Sequence, residues 1–271
     1  MKKSRLAFLV IGIAILAFFV LMALFPQLFS SLDRKQSFGA WLPPSAEHIL
    51  GTNSLGYDIF AELVYGASVT LTVAITASLL SLVFGILVGI LATAKGLVGV
   101  LFNGLINVFV LLPKLIILIV LSSFLGSSTI NLIILIACFG WVGTARAVRA
   151  KVVHIYAQPY IEACKIYGYS RGHIALKHVL PNLYDVISSR FLASMTSCIM
   201  MESTLSFLGF GDLYYPTWGV MINLARLRGA VLFGAYQYLL APCVCIMLVS
   251  LSFYFVGIYI EEKHSTINGV K

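Results

Sequence analysis

Residues 69–94 read VTLTVAITASLLSLVFGILVGILATA, 26 positions without one Asp, Glu, Lys or Arg. About 20 apolar residues in a helix cross a hydrocarbon core roughly 30 Å thick, so this stretch is long enough to span a bilayer. It is not alone. Similar runs recur at about 6–25, 98–124, 130–147, 186–208 and 238–260, and the whole chain of 271 residues is 60% hydrophobic and only 10% charged. A soluble domain is closer to half apolar and a quarter charged. The alternating apolar and polar pattern of an outer-membrane barrel is absent. The reading is an all-α polytopic membrane protein with six transmembrane helices.

Between the spans the lysines and arginines fall unevenly. With the N-terminus inside, Lys2, Lys3, Arg5, Lys95, Arg146, Arg149, Lys151, Lys165, Arg171, Lys177, Arg190, Lys263 and Lys271 are cytoplasmic, whereas Arg34, Lys35, Arg226 and Arg228 are external and Lys114 lies within a span. That bias puts both termini in the cytoplasm. It also accounts for the net charge of +8 without nucleic acid as a partner. The first 25 residues carry a basic flank and an apolar core, but the core exceeds the ~7–15 residues of a signal-peptide core and no small-x-small site follows. They are expected to remain as the first span. The chain then divides into a first helix and long external loop over 1–68, a five-helix core over 69–260, and a cytoplasmic tail over 261–271.

Within the core, one cytoplasmic loop, about 148–185, is long and polar. Its centre, YIEACKIYGYSRGHIALKHVLPN over 160–182, contains its own start and stop signals. Pro159 suits the first position of a helix and Glu162 its positively polarised first turn. Gly168 can end that helix in a left-handed cap, and Ser170 can cap a second short helix that should stop near Pro181. Two short helices outside the bilayer make a docking surface for a soluble partner.

Here the sequence resembles the EAA loop of ABC importer permeases, whose pattern is Glu-Ala-Ala, three residues, Gly, nine residues, then an apolar position with Leu-Pro. Glu162, Ala163, Gly168, Leu180 and Pro181 fit it, and Cys164 replaces the second alanine. His178 and Asn182, in HVLPN, are similar to the dipeptide, oligopeptide and nickel branch. HILGTNSLGYDIFAELVYGASVTL (48–71), GWVGTARAVR (140–149), ESTLSFLGFG (202–211) and PTWGVMI (216–222) resemble further segments of that branch in the expected order. Asn53 stands where the branch has Asp, Tyr57 where it has Arg, and VGIYIEEKHS replaces its Gly-Asp-x-x-Arg-Asp tail.

The resemblance implies a permease subunit of the bacterial plasma (inner) membrane. A second permease subunit would complete the pathway, two ATPase subunits would bind ATP and Mg, and an extracytoplasmic solute-binding protein would deliver the substrate. Tyr160, Ile161, Glu162, Ala163, Cys164, Gly168, His178, Leu180 and Pro181 would form the ATPase-coupling segment. This chain has no G-x-x-x-x-G-K-[ST] phosphate loop, is not expected to be an enzyme by itself, and needs no cofactor of its own. Small peptides are the leading cargo class; nickel or a metal chelate is the alternative. A stand-alone ion-coupled transporter would instead carry inverted repeats and broken helices at its ion site, neither of which is legible in the sequence.

Some residues carry two readings each. A lysine deep in a span costs something like ~2.5–3.5 kcal/mol unless it faces water or a partner. Lys114 therefore either lines the pathway and meets an anionic substrate group, or snorkels or pairs structurally. Glu202 either lines a polar cavity or gate, or pairs with a neighbour such as Lys114. Asp58 and Glu62 read as solvated acids of the external loop, with a contact to substrate or binding protein as the other reading. The five histidines and five cysteines are scattered at spacings that make no metal site or disulfide framework. No Ser/His/Asp set or paired carboxylates suggest catalysis.

Overall fold

The computed structural model describes residues 2–267. Eleven α-helices follow in order among them: α1 (Lys2–Leu24), α2 (Ile59–Leu91), α3 (Leu97–Leu111), α4 (Lys114–Leu125), α5 (Thr129–Gly140), α6 (Val142–Tyr156), α7 (Pro159–Ile166), α8 (Arg171–Ile174), α9 (Tyr184–Leu205), α10 (Trp218–Leu227) and α11 (Gln237–Ile267). No strand occurs among the described residues, only two isolated bridges, Ser37 with Tyr57 and Thr52 with Asp58. Five helical stretches are long and apolar enough to cross a membrane, and α3 with α4 makes a sixth if the bent pair counts as one span. The fold is all-α.

At the centre stands α2, packed against α1, α5, α6 and α9. Its glycines make this possible. A Cβ on Gly85 would sit 2.7 Å from Thr144 Cβ, and one on Gly89 would sit 2.7 Å from the Ala145 carbonyl oxygen. Helices that close gain contact through small residues at the interface. A second layer pairs α1 with α11 and α11 with α9. The outer faces stay apolar, with Leu101, Leu111 and Phe124 among the exposed side chains, as a protein solvated by lipid requires.

Four boundaries differ from the sequence reading. The second span begins at Ile59, ten residues before position 69, because Asp58 caps it: the Ala61 N–H donates to Asp58 Oδ1 at 2.7 Å. The 1–68 segment therefore includes the start of α2. The third span is not continuous: α3 and α4 meet at 88°. Pro113 has no N–H and its ring excludes the carbonyl four residues back, while Leu112 before it is extended at φ −70°, ψ 133°. A broken helix is thus present, contrary to expectation. The second short helix of the cytoplasmic loop does not stop at Pro181. It runs from α8 through a π-turn at Ala175–Val179 and a 3-10 turn at Leu180–Leu183 into α9, turns that accommodate the missing proline N–H. Finally, α11 continues to Ile267 through most of the 261–271 tail; residues 268–271 lie outside the described residues.

Candidate coupling loop and translocation groove

The cytoplasmic loop is organised around one apolar anchor. Gln158 is extended at φ −78°, ψ 141°, Pro159 opens α7, Glu162 lies in its first turn and Lys165 in its last. Ile161 is fully buried in a cluster with Val148, Val152 and Ile155 of α6, Ile174, Val179 and Leu183, which Ile86 and Ile90 of α2 and Val186 and Ile187 of α9 flank. One side chain of α7 is therefore buried beside α6 in a cluster that α2 and α9 flank. Lys151 of α6 adds a polar tie, its Nζ lying 2.6 Å from Asp185 Oδ2 in the first turn of α9.

The end of α7 is fixed by its backbone. Tyr169 N–H donates to the Cys164 carbonyl at 3.1 Å and Gly168 N–H to the Lys165 carbonyl at 3.1 Å, the two bonds of a Schellman cap. Gly168 stands at φ +80° with nothing within 4 Å of the position a Cβ would take. Ser170 then caps the next turn, its Oγ accepting from the His173 N–H at 3.2 Å. Cap, glycine and second cap all fall where the sequence places them.

Of the nine residues named for coupling, Ile161 faces inward as the anchor. Cys164 Sγ lies 3.7 Å from His178 Nε2, and the Tyr160 ring stands 6.2 Å from that of His178. Glu162, Ala163, Gly168, Leu180 and Pro181 are exposed. Two residues outside that set dominate the outer face: Ile166 at 85% exposure and Tyr167 at 81%. Bulky apolar side chains flanking a glycine in a polar loop were the available signal. The arrangement can transmit force, because an exposed apolar face and a buried key belong to the same short helix.

A groove lies at the break between α3 and α4. Lys114 opens α4 there, partly exposed, and lines a cavity of about 160 Å³ with Thr144 of α6 and Arg190, Ser194, Ser197 and Met201 of α9. Lys114 is therefore at a helix break and not in the middle of a continuous span. Glu202 is elsewhere. It is fully buried and accepts hydrogen bonds from Ser206 Oγ at 2.6 Å, Thr217 Oγ1 at 2.6 Å and Ser203 Oγ at 3.3 Å. Three hydroxyls, not Lys114, are its partners, and it does not line the groove. Thr217 also caps α10, accepting from the Val220 N–H, while Trp218 N–H and indole N–H donate to Thr70 Oγ1 and the Leu63 carbonyl. The carboxylate thus joins the end of α9 to α10 and, through it, to α2.

On the side opposite the coupling loop, Asp58 and Glu62 are 2% and 5% exposed, which corrects their reading as solvated acids. Asp58 Oδ2 lies 2.8 Å from His48 Nδ1, and Glu62 Oε2 accepts from Asn53 Nδ2 at 2.9 Å. Asn53 Oδ1 also accepts from the backbone N–H groups of Leu55 and Tyr57. Asn53 thus makes a neutral-to-charged hydrogen bond that ties the external loop to the start of α2.

With this geometry in hand, the model of the binding-protein-dependent transport system inner membrane component matches residues 81–264. The chain belongs to that family. The dipeptide transport system permease protein DppC of Bacillus subtilis is 34% identical over 261 residues, spanning 95% of this chain and 80% of the relative. The oligopeptide transport system permease protein OppC of the same organism is 29% identical over 226 residues, 82% of this chain and 73% of the relative. A solved chain of the MetNI methionine ABC transporter in an inward-facing conformation aligns with TM-score 0.59 at 18% identity, covering 74% of this chain and 95% of that one, a likeness of fold. The family match spans α7, the break at Pro113 and the Glu202 node.

Proposed function

We propose that this chain is a permease subunit of an ABC importer for small peptides in the bacterial inner membrane, with both termini in the cytoplasm. It would build the pathway with a second permease subunit. Of two ATPase subunits holding ATP and Mg, one would seat on α7, and an extracytoplasmic solute-binding protein would deliver cargo to the opposite face. The observation that carries this reading is the α7 module. Ile166 and Tyr167 offer an apolar surface to a soluble partner while Ile161 of the same helix is buried in a cluster built on α6 and flanked by α2 and α9. Closure of the ATPases would move α7, and the buried key would pass that displacement to the spans. Such coupling is a free-energy link between two sites, each biasing the same two-state element.

The peptide cargo is supported by the names of the relatives, DppC and OppC. The test is reconstitution of the whole complex, both permeases, both ATPases and the binding protein, in proteoliposomes. ATP-dependent accumulation of labelled dialanine is expected, and omission of either ATPase or binding protein should abolish it. Accumulation of nickel with no uptake of dialanine would replace the peptide reading by the metal one. Uptake driven by an ion gradient without ATP would overturn the importer class.

A further inference from the structure

We propose that the groove at the α3–α4 break is a receiving site for a carboxylate, and that Lys114 and Arg190 bind the C-terminal end of the transported peptide there. The inference rests on the peptide-importer reading and specifies where and how its cargo is held.

The charge balance of the groove carries the argument. Two cationic side chains line it, from α4 and α9, and no acid does. The acids near the membrane are committed elsewhere. Asp185 holds Lys151, Glu202 is enclosed by three hydroxyls, and Asp58 and Glu62 hold His48 and Asn53. Asp212 accepts from Thr129 Oγ1 and the Tyr214 N–H. Among the described residues neither Lys114 nor Arg190 has an ion-pair partner. The contrast with Lys151 is informative, because a lysine one helix away is neutralised and these two are not. A lysine at a break within a span faces a pathway or a partner charge, Arg190 lines the same groove from the cytoplasmic end of α9, and here the missing counter-charge is the cargo's.

Shape agrees with charge. About 160 Å³ is close to the cavity that holds one benzene, enough for a single terminal residue. Gly143 keeps the wall low beside the guanidinium: a Cβ there would meet only Arg190 Nη1, at 3.9 Å. Thr144, Ser194 and Ser197 supply neutral hydroxyls beside the cations, and Met201 gives one adaptable apolar wall. A guanidinium suits a carboxylate through paired N–H donors, and a lysine adds a mobile point charge.

The test uses the assembled complex with the five native cysteines replaced and Ser197→Cys as the sole reporter. The introduced thiol is modified with an anionic sulfonatoethyl and a cationic trimethylammonioethyl methanethiosulfonate, and the ratio of rates reads the local field. The anion-to-cation ratio should fall roughly tenfold in Lys114→Met and in Arg190→Met, and Lys114→Arg should restore it. Dialanine should slow modification, and dialanine amide should not. An unchanged ratio in both neutral variants overturns the cationic site, and equal protection by the amide overturns carboxylate recognition. So does the absence of protection by dialanine in a complex that transports it. Co-purification of all subunits scores assembly, and Lys114→Gln replaces Lys114→Met if the latter fails to assemble. Failure of the parent complex to accumulate dialanine defeats the peptide reading instead, whatever the rate ratio.

Discussion

Replacing Gly168 by valine isolates the backbone geometry of the coupling loop. At φ +80° an L-residue pays roughly 1–2 kcal/mol relative to glycine, and a β-branched one lies at the upper end. Sterics add nothing, because no atom lies within 4 Å of the new Cβ. Restriction of the unfolded chain returns about 0.4–1 kcal/mol, so the net loss is about 1 kcal/mol, confined to the Schellman cap between α7 and α8. That lowers the population of the capped geometry roughly fivefold and leaves the membrane-embedded core intact. The assay is ATP hydrolysis by the purified complex with and without loaded binding protein, alongside subunit stoichiometry. Gly168→Val should retain the permease in the membrane while weakening ATPase association or stimulation. Gly168→Asn, which enters the left-handed region more readily, should lose less. Gly172→Ala is the control: Gly172 has the same open surroundings without a positive φ, and its replacement should be neutral. Full assembly, normal stimulation and normal uptake in Gly168→Val would refute the reasoning, and equal defects in the Gly168 and Gly172 variants would refute the geometric part.

Other perturbations test other joints. Glu162→Ala should weaken ATPase association or coupling less than Gly168→Val, read in the same hydrolysis assay. Asp58→Ala removes the α2 cap and the partner of buried His48, and should lower stability by about 0.5–2 kcal/mol from the cap alone, seen as an earlier thermal transition in detergent; Asp58→Asn should keep the cap contribution. Gly89→Ala forces a Cβ to 2.7 Å from the Ala145 carbonyl oxygen and should cost about 1–3 kcal/mol, read by the same melt. Glu202→Ala leaves the Ser206 and Thr217 hydroxyls without their acceptor, at about 1–3 kcal/mol for each buried group, and should loosen α10, read as faster protease cleavage at 211–217.

The sequence makes the spans legible because hydropathy measures transfer, and transfer dominates in a membrane. It does not register a missing N–H, so Pro113 disappears into one continuous apolar run although it bends the chain by 88°. For the same reason hydropathy starts α2 at 69. Glu62, Gly66 and Ser68 dilute the apolar signal, whereas in the fold Asp58 caps the helix, Asn53 holds the buried Glu62 and Gly66 packs beside Trp218. The coupling loop is readable because caps are local: Pro159, Gly168 and Ser170 each act within a few residues. The setting of Glu202 is not, since Thr217 reaches it only through the fold, fifteen positions away in sequence. Ile161 likewise shows its role as an anchor only when the fold buries it with Val148, Val152 and Leu183 in one cluster.

In the proposed mechanism α7 grips an ATPase and passes its motion to the spans. The most direct measurement places a photo-crosslinking amino acid at Tyr167 in the complete complex, irradiates it, and identifies the crosslinked subunit with and without ATP. A crosslink to an ATPase subunit is expected, with a yield that changes on ATP binding. An ATP-responsive complex in which Tyr167 crosslinks to no ATPase subunit would contradict it.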